Sequence, residues 1–354
     1  MKPCIIVGLL TCLMVTLPIS CADDHGRTNQ DDDQQPADDD DGPNLNDDDA
    51  ADDDAGDYDF TGRFNVPECG GDGQWSLLTT VGSAYLYDIW GTSESDIYLV
   101  GSDTTIVHYN GDSWTLKVMD PDEFHYAALD SVWGSSATDV YVGGGFDAPS
   151  LQYYWRVLLH YDGETWTALH NTDGYFPTHV WGSAADDIYL VGDGMLWHYD
   201  GQNWTDWSDR PSFDFHPYQV WGGSTTDVYF ASGDTIVHYD GLAWTSSFLP
   251  MTPRALWSSS PQDVTAVETE IWNFNGEQWQ FVYDPPIYLM GVWGFSKTNI
   301  FAVGAQGMVV HYDGLAWTVM DSGTTSYLYD VWGTADSNLY ASGSKGQIFH
   351  YTCE

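Results

Sequence analysis

The residues best equipped for chemistry in this chain are histidines and aspartates, and both recur at fixed places. His108, His160, His198, His238, His311 and His350 each stand before a Tyr. Upstream of them lie Asp96, Asp139, Asp187, Asp227, Asp263, Asn299 and Asn338, each six residues after a Trp. Imidazole beside carboxylate is the raw material of metal sites and of general acid–base pairs. Such a centre needs convergence, however, and one His per repeat is spread around a repeat architecture instead. These histidines are therefore expected to be packing residues, with no metal and no cofactor. The recurring acid is expected to bond backbone amides in a turn.

The repeat that carries them contains Trp90, Trp133, Trp181, Trp221, Trp257, Trp293 and Trp332, separated by 43, 48, 40, 36, 36 and 39 residues. Spacings of this size mark solenoids, arrays and propellers. Within each unit, four or five apolar residues rich in Val, Ile, Tyr and Trp alternate with Gly, Ser, Asp and Asn, the pattern of short antiparallel strands. Asn110-Gly111, Asp162-Gly163, Asp200-Gly201, Asp240-Gly241, Asn275-Gly276 and Asp313-Gly314 join the last two strands, as in two-residue hairpin turns. Four strands and no helical period predict an all-β fold, a seven-bladed β-propeller of four-stranded antiparallel blades. The fifth unit has drifted, with Ser258 for Gly, Thr265 for the aromatic and Asn273-Phe274 for His-Tyr. Its spacing is kept, so its blade is expected to survive.

The seventh unit ends three strands in, at residue 354, while residues 71–78 read as a stray outer strand. The N-terminal strand should complete the last blade and close the ring. Cys69 precedes that strand and Cys353 follows its partner, so a disulfide between them is expected in an oxidising compartment. It would close a loop of more than 280 residues, for which chain entropy gives on the order of 5 kcal/mol.

Residues 1–21 carry one Lys, an apolar stretch and small residues, the form of an export signal too short to span a membrane. Two processing routes fit. "LPISC" resembles a bacterial lipobox, which would lipidate Cys21 and anchor the chain to a membrane; Ser20 and Ala22 before Asp23 also suit ordinary cleavage. Residues 22–60 then read as a disordered tether, with 17 Asp between 23 and 59, leaving 61–354 for the propeller. Its acidic runs are broken by Ala37 and Ala55, which removes the EF-hand pattern.

Residues 60–354 hold 36 acidic side chains against 7 basic. Nucleic acid is excluded as a partner, because phosphate binding needs a basic footprint. A monomer is expected.

Binding residues are sought where the repeats differ. Unit two has about nine extra residues between its second and third strands, and the links between units one and two and between three and four are long. Strand parity puts all three on one face. They carry Phe124, His125, Tyr126, Phe146, Asp147, Tyr153, Tyr154, Trp155, Arg156, Trp207, Arg210, Phe213, Phe215 and His216. Five residues before the repeat Trp, Tyr85, Phe176, His216, Tyr288 and Tyr327 should ring the mouth of the central channel on that face. Aromatic loops with a few charges suit stacking on sugars or docking a peptide. The chain termini meet on the opposite face.

The units "VWGSSATDVYVGG" and "VWGSAADDIYLVGDGMLWHYDGQNWTDW" resemble those of exported, often lipid-anchored bacterial propellers, grouped with sialidase-type repeats and photosystem II assembly-factor-like propellers. The "VWG" half is also similar to tectonin-type lectin repeats. The resemblance implies a binding module for polysaccharide or a surface protein. Sialidase chemistry is not expected: the Asp-box is absent, and the folded part has only Arg63, Arg156, Arg210 and Arg254. No Gly-x-Ser-x-Gly, His-Glu-x-x-His or phosphate loop is present. Two rival readings stay open: a polysaccharide hydrolase or lyase using Asp88 and Asp330, two residues before Trp in neighbouring blades, or a structural envelope protein.

Overall fold

The computed structural model describes residues 73–119, 127–148, 153–169, 177–192, 194–211 and 215–353, of which 146–148 and 153–156 by their backbone. Seven four-stranded antiparallel sheets form the blades of a β-propeller. Blade 1 spans residues 86–118, blade 2 128–168, blade 3 179–206, blade 4 219–248, blade 5 255–283 and blade 6 289–320. Blade 7 is built from Leu328–Ala335, Asn338–Gly343 and Gln347–Thr352, and its outer strand is Gln74–Thr80 from the other end of the chain. That strand pairs Gln74 with Thr352 and Trp75 with Tyr351. The same register joins Trp114 to Tyr109 in blade 1, so Trp75 fills the place of the repeat's last Trp.

The pattern of the repeat follows from packing between blades. The first Trp of blades 7, 1, 2, 3 and 5 reaches over the Gly after the next blade's Trp: a methyl on Gly91, Gly134, Gly182, Gly222 or Gly294 would come within 2.5–2.8 Å of the preceding ring. Two blades depart from this: Ser258 stands for the Gly in blade 5, where Trp221 instead meets Trp293 of blade 6 edge-on at 5.8 Å, and Gly333 of blade 7 is approached by Asn338 and Leu339. The second strand of each blade is almost wholly buried, as in Ile97, Tyr98, Leu99 and Val100. Inter-blade bonds add to the apolar seal, Tyr98 donating to the Ala137 carbonyl and Tyr229 to that of Pro261.

The recurring acid has a different task from the one expected. It does not bond turn amides; its Oδ1 meets the His Nε2 of the third strand, at 2.7–2.9 Å in blades 1 to 4. Its Oδ2 accepts from Thr92, Ser135, Ser183 or Ser259 at the end of the inner strand. The imidazole in turn stacks on the aromatic ring of the second strand, His108 on Tyr98 at 4.0 Å and His238 on Tyr229 at 4.3 Å. A partly buried carboxylate needs such donors, and three strands are pinned in one step. Blades 6 and 7 use neutral pairs, His311 with Asn299 and His350 with Asn338. Burial pushes both imidazoles down there, keeping them uncharged beside an uncharged partner. Blade 5 survives because Asn273 donates to Asp263 at 2.7 Å in place of His.

The hairpin turns also differ from expectation. They hold four residues rather than two, with Asn110 Oδ1 accepting from the amides of Asp112 and Ser113, and Gly111 at φ +90°. Asp162, Asp200, Asp240 and Asp313 do the same, and those backbone bonds hold their carboxyls below the ordinary value.

Replacing Trp75 by Ala removes a side chain 6% exposed that packs on Tyr351 at 5.3 Å. Chemical denaturation should show a loss of about 3–5 kcal/mol, because the ring is sealed at that strand.

Candidate functional site

The face expected to carry function is identified by its bonds. The link into each inner strand lies beside the loop between second and third strands of the same blade, through Ser102 N–H to Tyr85 O, Ala305 N–H to Tyr288 O and Ser344 N–H to Tyr327 O. Parity reasoning holds at this point: both loop types share a face.

On that face the inner strands of blades 1, 2, 6 and 7 carry register shifts between Leu86 and Asp88, Leu129 and Ser131, Leu289 and Gly291, and Leu328 and Asp330. A bulge breaks the strict alternation of a strand. Two successive residues, Tyr87 with Asp88 and Tyr329 with Asp330, thereby line the same channel, a cavity of about 590 Å³.

Above it lies a contiguous tyrosine cluster from blades 6, 7 and 1. Tyr288 and Tyr327 are 6.3 Å apart, Tyr327 stacks on Tyr329 at 6.1 Å, and Tyr329 meets Tyr85 and Tyr87 edge-on at 6.3 and 5.3 Å. The hydrogen bond Tyr288 makes with Tyr327 raises its phenol above the ordinary value. Tyr85, Tyr288 and Tyr327 are 44, 38 and 39% exposed. Sequence reasoning placed these three at the mouth. It missed Tyr87 and Tyr329, whose signal was the Tyr three residues before Trp in "YLYDIWG" and "YLYDVWG".

Beneath the tyrosines, the residue two before Trp ties neighbouring inner strands together in blades 1, 2, 4 and 7. Asp88 accepts from its own Ile89 amide and from Val132 of blade 2, at 2.9 and 2.7 Å. Ser131 bonds the amide of Val180 in blade 3, and Gln219 donates to the Arg254 carbonyl of blade 5. Asp330 accepts from Val331 and from Ile89 of blade 1, and shares a hydrogen bond with Asp88. The pair expected as first suspects for acid catalysis is thus adjacent, and engaged as ring ties. Burial first, then the neighbouring Asp88 charge, raises the Asp330 carboxyl well above the ordinary value. His179 sits in the same layer with its Nδ1 buried and unpartnered, and burial pushes this imidazole down.

The other expected binding residues divide. Phe215 is 5% exposed and packs edge-on to Phe230 and against Trp244, so it seals blades rather than offering a surface. Trp207, 8% exposed, lies against His198 at 4.1 Å, with the Arg210 guanidinium 4.0 Å above its ring. Flat apolar rings next to inter-blade grooves gain more from burial than from solvent. His216 is exposed, its amide bonded to Ser232. The insertion of blade 2 is an extended hairpin rather than a loop: Asp139–Ala148 and Tyr153–Tyr161 pair Gly145 with Arg156, Phe146 with Trp155, Asp147 with Tyr154, and Ala148 with Tyr153. Phe124, His125, Tyr126, Phe176 and Phe213 lie outside the described residues, as do Cys21 and Cys69. Among the described residues no group of three His, Cys, Asp or Glu is arranged to hold a metal ion, and no helix is long and apolar enough to cross a membrane.

No family model matches the chain, and no curated protein matches it in sequence. Solved structures match its fold. One is YCF48 bound to D1 peptide, at TM-score 0.63 and 14% identity, over 80% of this chain and 97% of that one. Another is YCF48 from Cyanidioschyzon merolae, at 0.61 and 13%, over 79% and 99%. A third is the WD40 β-propeller domain of Doa1, at 0.60 and 13%, over 79% and 97%. At such identities the likeness is one of fold alone.

The raised Asp330 carboxyl makes a prediction about pH. Below the ordinary Asp value near 4, folded and unfolded chains both hold this proton. As pH rises from there through the higher folded value, the unfolded state releases it first, so stability falls. Asp330→Asn keeps the bonding shape without the charge. Its thermal midpoint at pH 8 should exceed that of the parent, by roughly 2–4 °C per kcal/mol relieved, and the gap should close toward pH 4 in calorimetry.

Proposed function

We propose that the protein is an exported, non-catalytic binding module that takes an extended segment of a surface protein at its tyrosine-lined channel mouth. One observation carries this reading: five tyrosines from three consecutive blades form one cluster over a channel, with three of the rings more than a third exposed. Rigid aromatic rings supply contact area at low entropic cost, and a patch of them over a concavity is the usual form of a recognition site. That the YCF48 neighbour holds a peptide supports a polypeptide over a polysaccharide. The paired hairpin of blade 2 rises on the same face and would flank the segment.

The compartment belongs to the proposal. Residues 1–21 direct export, Cys21 is lipidated to give a membrane anchor, and 22–60 serve as tether. Cys69 pairs with Cys353 in a disulfide that replaces the missing hairpin turn of blade 7. In support, Gln74 lies opposite Thr352, and the Cys353 sulfur is engaged rather than free. Intact-mass analysis after alkylation without reductant should add no label at Cys69 or Cys353; labelling at either refutes the clasp.

Arrays of peptides and of glycans probed with the full chain test the ligand class. Peptides should be captured, and Tyr327→Ala and Tyr329→Ala should each weaken capture about tenfold, the effect of about 1.4 kcal/mol, with unfolding midpoints little changed. Capture of glycans alone, or peptide binding indifferent to both variants, overturns the reading.

A further inference from the structure

We infer that the group this channel receives is a cation, a Lys or Arg side chain carried on the bound segment and inserted between the tyrosines into the polar layer below. The inference rests on the peptide reading above and specifies what that peptide presents.

Four independent observations converge. Tyr87 stands at 90° to Tyr329, and Tyr85 at 79° to it, so these two rings of blade 1 and the Tyr329 ring of blade 7 form walls set at right angles. Crossed aromatic faces attract a positive head group through their quadrupoles, more strongly where water is partly excluded. Second, the wall beneath them in blades 7, 1 and 2 carries Asp330, Asp88 and Asp130. Asp88 uses one lone pair of each oxygen on a backbone amide and shares one hydrogen bond with Asp330, and a carboxylate with about four acceptor sites has capacity beyond these. Third, His179 in blade 3 lines the same cavity with a buried, unpartnered Nδ1. Burial favours its neutral form, and a neutral imidazole offers one ring nitrogen as an acceptor. An ammonium or guanidinium brings several N–H donors and no acceptor, the complement of this set. An acidic side chain would face the same carboxylates with nothing to offer them.

The fourth observation is where positive charge lies. Among the described channel-lining residues Arg254 of blade 5 is the one Lys or Arg. In a seven-membered ring blade 5 stands across from blades 1 and 2, so the acidic wall keeps its sign. The balance of 36 acids to 7 bases over residues 60–354 draws cationic segments toward the protein at long range. A cavity of about 590 Å³ leaves room for a long side chain and bound water.

The test uses the full chain and the pentapeptides acetyl-Gly-Gly-Lys-Gly-Gly-amide and acetyl-Gly-Gly-Arg-Gly-Gly-amide. Titration calorimetry is read alongside quenching of the channel tryptophans. Comparison peptides carry norleucine for Lys, citrulline for Arg, and Glu. The Lys and Arg peptides should bind saturably and more weakly at high salt, and the norleucine, citrulline and Glu peptides at least tenfold more weakly. Tyr329→Leu keeps apolar bulk but loses the ring face, and should cost the Lys peptide about tenfold; Tyr85→Leu at the exposed rim provides the same reading should the first variant fold poorly. His179→Leu should weaken the Lys peptide and leave the norleucine peptide unmoved. Norleucine binding as well as Lys, Glu binding better, or no response to either cationic peptide overturns the inference. In those cases array capture of peptides lacking Lys and Arg leaves the peptide reading standing, whereas failure of every peptide in both experiments removes that reading too.

Discussion

A propeller is held by a boundary condition: the last blade must meet the first, and the chain has only one way to arrange it here. Blade 7 lacks an outer strand of its own and borrows Gln74–Thr80 from the start of the folded region. Trp75 then enters a core with Phe301, Val303, Leu339 and Phe349, which belongs to blades 6 and 7 together. The surfaces between blades 1 to 7 in chain order form between neighbours in sequence, whereas the seam of blade 7 with blade 1 joins the two ends of the folded region. The strand pair of Gln74 with Thr352 and that seam together meet the loop-closure entropy of the whole ring.

Inside each blade the economy is different, because one polar node does the work of several apolar contacts. The acid of the second strand holds the third-strand imidazole and the inner-strand hydroxyl, and the imidazole lies flat on a neighbouring ring. What is kept across the repeats is not a residue but a satisfied donor and acceptor. Asp–His, Asn–His and Asp–Asn all meet the condition, as in blades 3, 6 and 5. The drifted fifth unit therefore keeps its fold although its letters have changed.

Much of this was legible in the sequence, and the physical reasons for the remainder are specific. Repeat number, blade boundaries and the borrowed strand could be read because period-two alternation and turn residues are local signals. The tyrosine mouth was half legible: Tyr85, Tyr288 and Tyr327 follow from strand parity. Tyr87 and Tyr329 face the channel only because bulges shift the register, and a bulge has no marker in a single strand. Phe215 and Trp207 were misassigned because an aromatic in a long link looks the same whether it covers a groove or faces solvent. The partner of the recurring Asp was hidden for a related reason, since the acid and its imidazole sit on paired strands whose register the repeat spacing does not reveal.

The drift in blade 5 also reaches the channel. In the regular units the inner Trp lies over a glycine of the next blade, which keeps its ring in the wall. Ser258 carries a Cβ where that ring would rest, and Trp221 turns to Trp293, which in turn meets Trp332 at 6.3 Å. Indoles of blades 3, 4, 6 and 7 thus form a run of ring contacts along the channel wall, Trp181 meeting Trp221 at 6.4 Å. The repeat supplies the walls, and its departures, the bulges and the serine, shape the space a ligand would meet.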